Sequence, residues 1–224
     1  MRVGIDIREL EHGKMTGIGR YLRNFITYAS RARPDYKFFL YGNQHTDPSV
    51  QNSNIAVRIA AEGRTLWWDQ MVLPRLARAD RMDVFLSPYI KGPGAVDCPL
   101  VTTIHDLMFL VFPEYAYKGR HQRLKNILFT RIARWVNRPA ALILTDSEYS
   151  RGDIQKVLGL TGEKIQVLPI GVDQTYQPVR DERRLRTVRE RYGIRAPYIF
   201  ISVISNPTKM SKLCCGPLLF CLGI

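Results

Sequence analysis

Acid is scarce in this chain. Its 224 residues carry 33 Lys and Arg against 20 Asp and Glu, a formal net charge of +13, which points to an anionic partner: nucleic acid, a phosphorylated substrate or an acidic membrane face. Cysteine is scarce too. Cys98 stands alone while Cys214, Cys215 and Cys221 crowd the C-terminal end, a spacing that fits neither a zinc site nor a disulfide framework. A reduced, cytoplasmic chain is the expectation. No window approaches the about 18 consecutive apolar residues of a membrane span, and Asp6, Arg8 and Glu9 interrupt the N-terminus where a signal peptide would be apolar. Internal repeats and low-complexity tracts are also missing. With 46% hydrophobic and 24% charged residues, the composition is that of a globular protein and excludes a disordered or fibrous one. At roughly 100–200 residues per domain, the length holds one full domain and a remnant, or two small domains.

Short β-branched runs alternate with longer helical patterns, which predicts α/β architecture: a Rossmann-like parallel sheet with helices on both faces. The strands fall at Arg2–Ile7, Lys37–Tyr41, Ile55–Ile59, Val84–Leu86, Leu100–Ile104, Leu142–Thr145 and Ile165–Leu168. Helices are read over Gly19–Ala32, Trp67–Ala79, Gly119–Asn137 and Glu148–Leu158. In Gly119–Asn137, Leu124, Ile127, Leu128, Ile132, Trp135 and Val136 recur at helical spacing, so this stripe is expected to face the sheet. The segment Lys118–Arg138 carries Lys118, Arg120, Arg123, Lys125, Arg131, Arg134 and Arg138 and no acid. It reads either as a solvated outer face or as a surface for anionic lipid or phosphate. Beyond Asp173 a charged helix at Glu182–Tyr192 and a strand at Tyr198–Val203 mark a new unit. The expected domains are 1–175, a linker helix over 176–196, and the start of a second domain over 197–224.

Candidate chemistry collects where strands end. Thr16-Gly17-Ile18-Gly19-Arg20-Tyr21 opens a helix after the first strand. Glycines there let backbone approach a ligand closely or serve a tight turn, and a helix start favours phosphate. A dinucleotide fingerprint would need a third glycine at Leu22 and an acid where Tyr41-Gly42-Asn43 stands, so a Rossmann dehydrogenase loses two requirements. His105 and Asp106 follow a buried strand, where open parallel sheets bind ligands. His105 can hold a sugar hydroxyl or carry a proton near neutral pH, and Asp106 can serve as a turn cap or in chemistry. Thr145-Asp146-Ser147-Glu148-Tyr149-Ser150 is another strand end, with Ser147 placed as an N-cap. Leu168-Pro169-Ile170-Gly171-Val172-Asp173 supplies the kind of loop that a hinge needs. A nucleic-acid interface is not expected, since the basic residues lack interleaved aromatics and no helix-turn-helix or zinc pattern is present.

In their order along the chain, Thr16–Tyr21, Trp67-Trp68-Asp69-Gln70, Leu73-Pro74, Ser87-Pro88, His105-Asp106-Leu107, Thr145–Ser150 and Leu168–Asp173 resemble the N-terminal half of family 4, or group 1, glycosyltransferases. The pattern is most similar to the mannosyltransferase-like branch. The resemblance implies a GT-B architecture of two Rossmann-like domains facing a cleft, the N-terminal one taking the acceptor and the C-terminal one most of the nucleotide-sugar. It implies a retaining hexosyl or mannosyl transfer from a nucleotide-sugar to a carbohydrate or lipid-linked acceptor, as in polysaccharide biosynthesis, with no cofactor and no metal. Departing-diphosphate charge is then offset by basic side chains and helix dipoles. By position, Gly17, Gly19 and Arg20 would approach the donor phosphate and sugar, and His105, with Asp106, would meet the transferred sugar. Lys209, in a Pro-x-Lys loop, would contact the donor phosphate. After Lys209 the likeness stops: Gly216-Pro217 stands where a long helix should run, and proline in a helix interior costs about 3 kcal/mol. Glu182 and Glu190 have the spacing of the family's donor-site glutamates but precede the second domain and are not site candidates. A truncated transferase with little or no transfer of its own is therefore expected. The alternative expectation is a non-catalytic basic module touching an anionic membrane or lipid-linked phosphate through Lys118–Arg138.

Overall fold

The computed structural model describes residues 1–47, 49–112, 120–172 and 176–195. The chain divides into two compact units, Met1–Gly171 and Val172–Ile224. The first is built on seven strands: β1 (Arg2–Asp6), β2 (Lys37–Gly42), β3 (Ile55–Ile59), β4 (Val84–Ser87), β5 (Leu100–Thr103), β6 (Leu142–Thr145) and β7 (Ile165–Val167). All pair in parallel, in the order β3-β2-β1-β4-β5-β6-β7. The seven strands expected between Arg2 and Leu168 are all present, because each β-branched run is short, apolar and bounded by turn residues. The order of strands reverses direction between β1 and β4, and ligands of open α/β sheets bind outside the carboxyl ends of the strands at such a switch.

Alternate residues of β2 feed opposite faces of the sheet. Phe38 and Leu40 join Val3, Ile5, Ile7, Leu10, Leu22 and Ile26 in one buried layer, while Phe39 and Tyr41 join Trp68, Phe85, Leu107, Ala133 and Ile154 in the other. Helix α1 (Gly17–Ala32) starts at Thr16, whose hydroxyl accepts from the Gly19 amide. It seals the first layer with Leu22 and Ile26, both fully buried, each contributing about 1.5–3 kcal/mol relative to exposure. On the other face, α2 (Thr65–Trp67) continues through a π-helical turn (Trp68–Val72) into α3 (Leu73–Ala79). The wide turn places the neighbouring Trp68 and Asp69 both in the interior.

After α4 (Met108–Val111), helix α5 (Arg120–Asn137) departs from the expected orientation. The stripe read as sheet-facing lies mostly outward: Leu124 is 67%, Ile127 54%, Leu128 58% and Trp135 59% exposed. Of its members only Val136 is buried; Ala133, outside the stripe, is buried with it. Anchoring by polar groups sets this rotation. Asn137 Nδ2 donates to the Ile90 and Ala133 carbonyls, each at 2.7 Å, and Arg134 donates to the carbonyls of Leu158 and Val157 at 2.8 and 3.1 Å. Small Ala133 allows close approach to the layer beneath. Helix α6 (Glu148–Asp153) is capped by Ser147, which accepts from the Ser150 amide, and continues in a π-helical turn (Ile154–Leu158). In the second unit, α7 (Glu182–Tyr192) is capped by Asp181. Among the described residues no helix is long and apolar enough to cross a membrane.

Candidate functional site

Strands β5 and β6 pair with Thr103 opposite Leu144. Two residues further along each chain, the same register sets His105 beside Asp146. His105 Nδ1 lies 2.9 Å from Asp146 Oδ2 and 3.1 Å from Oδ1. The pair is mostly covered, with side chains 14% and 25% exposed. Tyr21, from the second turn of α1, meets the His105 ring edge to face with centroids 5.1 Å apart. Burial pushes the Tyr21 phenol above its ordinary pKa. In this pair His105 Nε2 is buried without a hydrogen-bond partner, and the Tyr21 hydroxyl lies against the Thr103 side chain. Buried polar atoms are ordinarily satisfied, so the unpartnered Nε2 makes His105 a candidate for a polar contact.

The glycine turn stands at the other end of Tyr21's helix turn. Gly19 is required by contact: a Cβ there would stand 3.1 Å from the Glu9 carbonyl oxygen and 3.2 Å from Thr16 Oγ1. Its amide is committed to the Thr16 cap at 2.9 Å, while Thr16 in turn donates to Glu9 at 2.7 Å. Gly17 has open space where a Cβ would be. Neither residue has a positive φ, so the turn does not need glycine for its backbone angles. Arg20 is exposed on the same turn. Asp106 points its carboxylate at the start of α4, where Oδ1 accepts from the Met108 amide at 2.9 Å; the carboxylate that meets His105 is that of Asp146. Lys209, the strand at Tyr198–Val203 and part of the Lys118–Arg138 segment lie outside the described residues and side chains.

A second polar centre, not anticipated from the sequence, closes the end of β1. Asp6, fully buried, holds Arg8 through Nη2 at 2.6 Å, and Arg8 reaches Asp69 at 2.5 Å and Glu62 at 3.1 Å. The guanidinium lies 5.3 Å from the Trp68 ring and 5.4 Å from that of Tyr89. Burial pushes the Asp69 carboxyl up to about 6, against the pull of Arg8. Arg8 itself is lowered by burial but raised further by Asp6 and Asp69, and so stays charged. Glu62 and Asp69 lie far from Arg8 in sequence, which hides the cluster from any local pattern. Among the described residues no group of three or more His, Cys, Asp or Glu side chains is arranged to hold a metal ion.

The family model described as Glycosyltransferase Family 4 matches residues 15–176. The chain belongs to that family. No curated protein sequence matches it. Among solved structures it is similar to Anabaena Alr3699/HepE in complex with UDP and glucose, at 17% identity and a TM-score of 0.57, covering 86% of this chain and 50% of that one. It is also similar to a glycosyltransferase from Rickettsia africae, at 10% identity and a TM-score of 0.53, covering 96% of this chain and 57% of that one. This glycosyltransferase chain thus spans about half the length of the solved structures it matches, and the likeness to them is one of fold. The Rossmann-like half of a GT-B fold expected from the motif order is the observed architecture.

Proposed function

We propose that this family 4 chain supplies the acceptor-side half of a site that transfers a hexose, mannose by the branch its motifs resemble, from a nucleotide-sugar with retention of anomeric configuration. The observation that carries the reading is the His105–Asp146 pair at the carboxyl end of β5 and β6, inside the segment matched by the family model. His105 meets the transferred sugar. Gly17 admits the donor to the first turn of α1, and Arg20 adds positive charge beside it. Gly19 holds the turn in shape, Asp106 sets the loop after His105, and Lys209 is a donor-phosphate contact. No metal or cofactor enters; basic groups and helix starts offset the diphosphate. The Anabaena relative's complexes with UDP, glucose and UDP-glucose support a nucleotide-sugar donor. The acceptor is a carbohydrate or a lipid-linked sugar, and the work is cytoplasmic polysaccharide assembly. A transfer assay with hexose nucleotides, run with EDTA on this half joined to a donor-binding half and read by proton NMR of the product's anomeric centre, tests this. Retained configuration and insensitivity to EDTA are expected; inversion, or loss of transfer with EDTA, contradicts it.

A second reading, compatible with the first, has its own observation. Leu124, Ile127 and Leu128 stand exposed on α5 within the acid-free segment 118–138, which suits peripheral attachment to an anionic membrane face, apolar residues entering the headgroup layer and bases holding its charge. Vesicle sedimentation should show binding to vesicles containing phosphatidylglycerol and little to phosphatidylcholine alone. A Leu124→Asp/Leu128→Asp chain that sediments as well as the parent removes the idea.

A further inference from the structure

The partner of His105 fixes more than its position. A carboxylate only accepts hydrogen bonds, so a Nδ1–Asp146 Oδ2 distance of 2.9 Å requires the imidazole proton on Nδ1. The neutral ring is left with its lone pair on Nε2. That atom is buried and has no hydrogen-bond partner, and the ring of Tyr21, whose hydroxyl lies against Thr103, packs on His105 at 5.1 Å. A group that answers Nε2 must therefore be a donor, and a hydroxyl can donate to Nε2 while accepting from another O–H.

We infer that Asp146 is a positioning residue which holds His105 as the Nδ1–H tautomer, so that His105 takes a sugar hydroxyl as hydrogen-bond acceptor rather than as donor. The inference rests on the sugar-site reading above for the identity of the hydroxyl. The tautomer itself rests only on the geometry. Asp146 lies in a strand end whose following residues, Ser147 and Ser150, form a helix cap, yet its own carboxylate is directed across to β5. A capping role alone does not account for that direction. A charge-assisted bond of this kind biases the tautomer ratio by about tenfold or more.

Long-range nitrogen–proton correlation NMR on the uniformly labelled full chain reads the tautomer directly, with the pH raised until the ring's titration is complete. Wild type should show Nδ1 protonated and Nε2 bare. In Asp146→Ala the ratio of Nδ1–H to Nε2–H should fall by about tenfold or more, with the amide spectrum otherwise that of a folded chain. If that variant does not fold, Asp146→Asn keeps the shape and should lower the ratio in the same direction, since an amide can donate to Nδ1 as well as accept. A wild-type ring protonated on Nε2, or a ratio unchanged by the substitution, overturns the assignment. Titration with UDP-glucose separates this from the function. Movement of the Nε2 resonance supports both, whereas a fixed Nε2 beside a confirmed Nδ1–H tautomer overturns the sugar-acceptor role and leaves the tautomer assignment standing.

Discussion

The β1–α1 side of the sheet and the β5–α5 side use the same kind of sequence in opposite ways. On the first, α1 turns its apolar residues inward, with Leu22 and Ile26 fully buried, and the strand end is closed by the Asp6–Arg8–Asp69–Glu62 cluster, in which Arg8 spends its donors on three carboxylates. On the second, α5 leaves Leu124, Ile127 and Leu128 in solvent, and the end of β5 leads into His105, whose Nε2 is buried with no partner. The sealed side behaves as scaffold at Arg8, whose donors meet carboxylates of the fold, although Trp68 Nε1 and the Tyr89 hydroxyl beside it are buried without a partner. The open side presents His105 Nε2, buried and unpartnered, at a strand end. Tyr21 joins it, rooted in α1 and packed on His105.

Substitutions that ignore this division should fail to find it, and the largest effect should come from the sealed side. Arg8→Met leaves buried carboxylates without their cation and should cost about 3–5 kcal/mol in urea unfolding, while His105→Leu at the open strand ends should cost under about 1 kcal/mol; equal losses would erase the contrast. Next, Leu22→Ala in α1 should cost about 2–5 kcal/mol. Asp69 gives a pH test of the sealed cluster. Its carboxyl sits at about 6 in the fold against an ordinary 3.8, so the folded chain holds a proton that the unfolded chain has released between those values, and its contribution falls as pH rises through that window. Relative to Asp69→Asn, wild type should lose up to about 3 kcal/mol between roughly pH 4 and pH 7; a flat difference would mean that Arg8 keeps Asp69 ionised throughout. Smallest of all, Leu128→Ala on α5 should change stability by less than about 0.5 kcal/mol, although the same exchange is the costly one in α1.

The seven strands were legible because each is a short β-branched run between turn residues, and a parallel sheet follows from their alternation with helices. The facing of α5 was not. Hydrophobic periodicity locates a stripe but does not say that it is covered, and here Asn137 and Arg134 reach backbone carbonyls of neighbouring segments that no helical pattern encodes. His105 was legible as a strand-end residue, whereas Asp146 read as part of a cap. Their meeting depends on the β5–β6 register, which could have been inferred only by aligning Thr-Thr-Ile-His with Ile-Leu-Thr-Asp strand against strand. The Arg8 cluster gathers residues 6, 8, 62 and 69, a set that only the folded topology assembles.

The central claim is that the open strand ends, not the sealed side, receive the sugar. Backbone amide mapping during a UDP-glucose titration of the labelled chain addresses it most directly. The account predicts shifts centred on Gly17, Tyr21, His105 and Asp146 that vanish in His105→Ala. Shifts confined to the outer surface of α1 or to α5, or a map unchanged by His105→Ala, would contradict it.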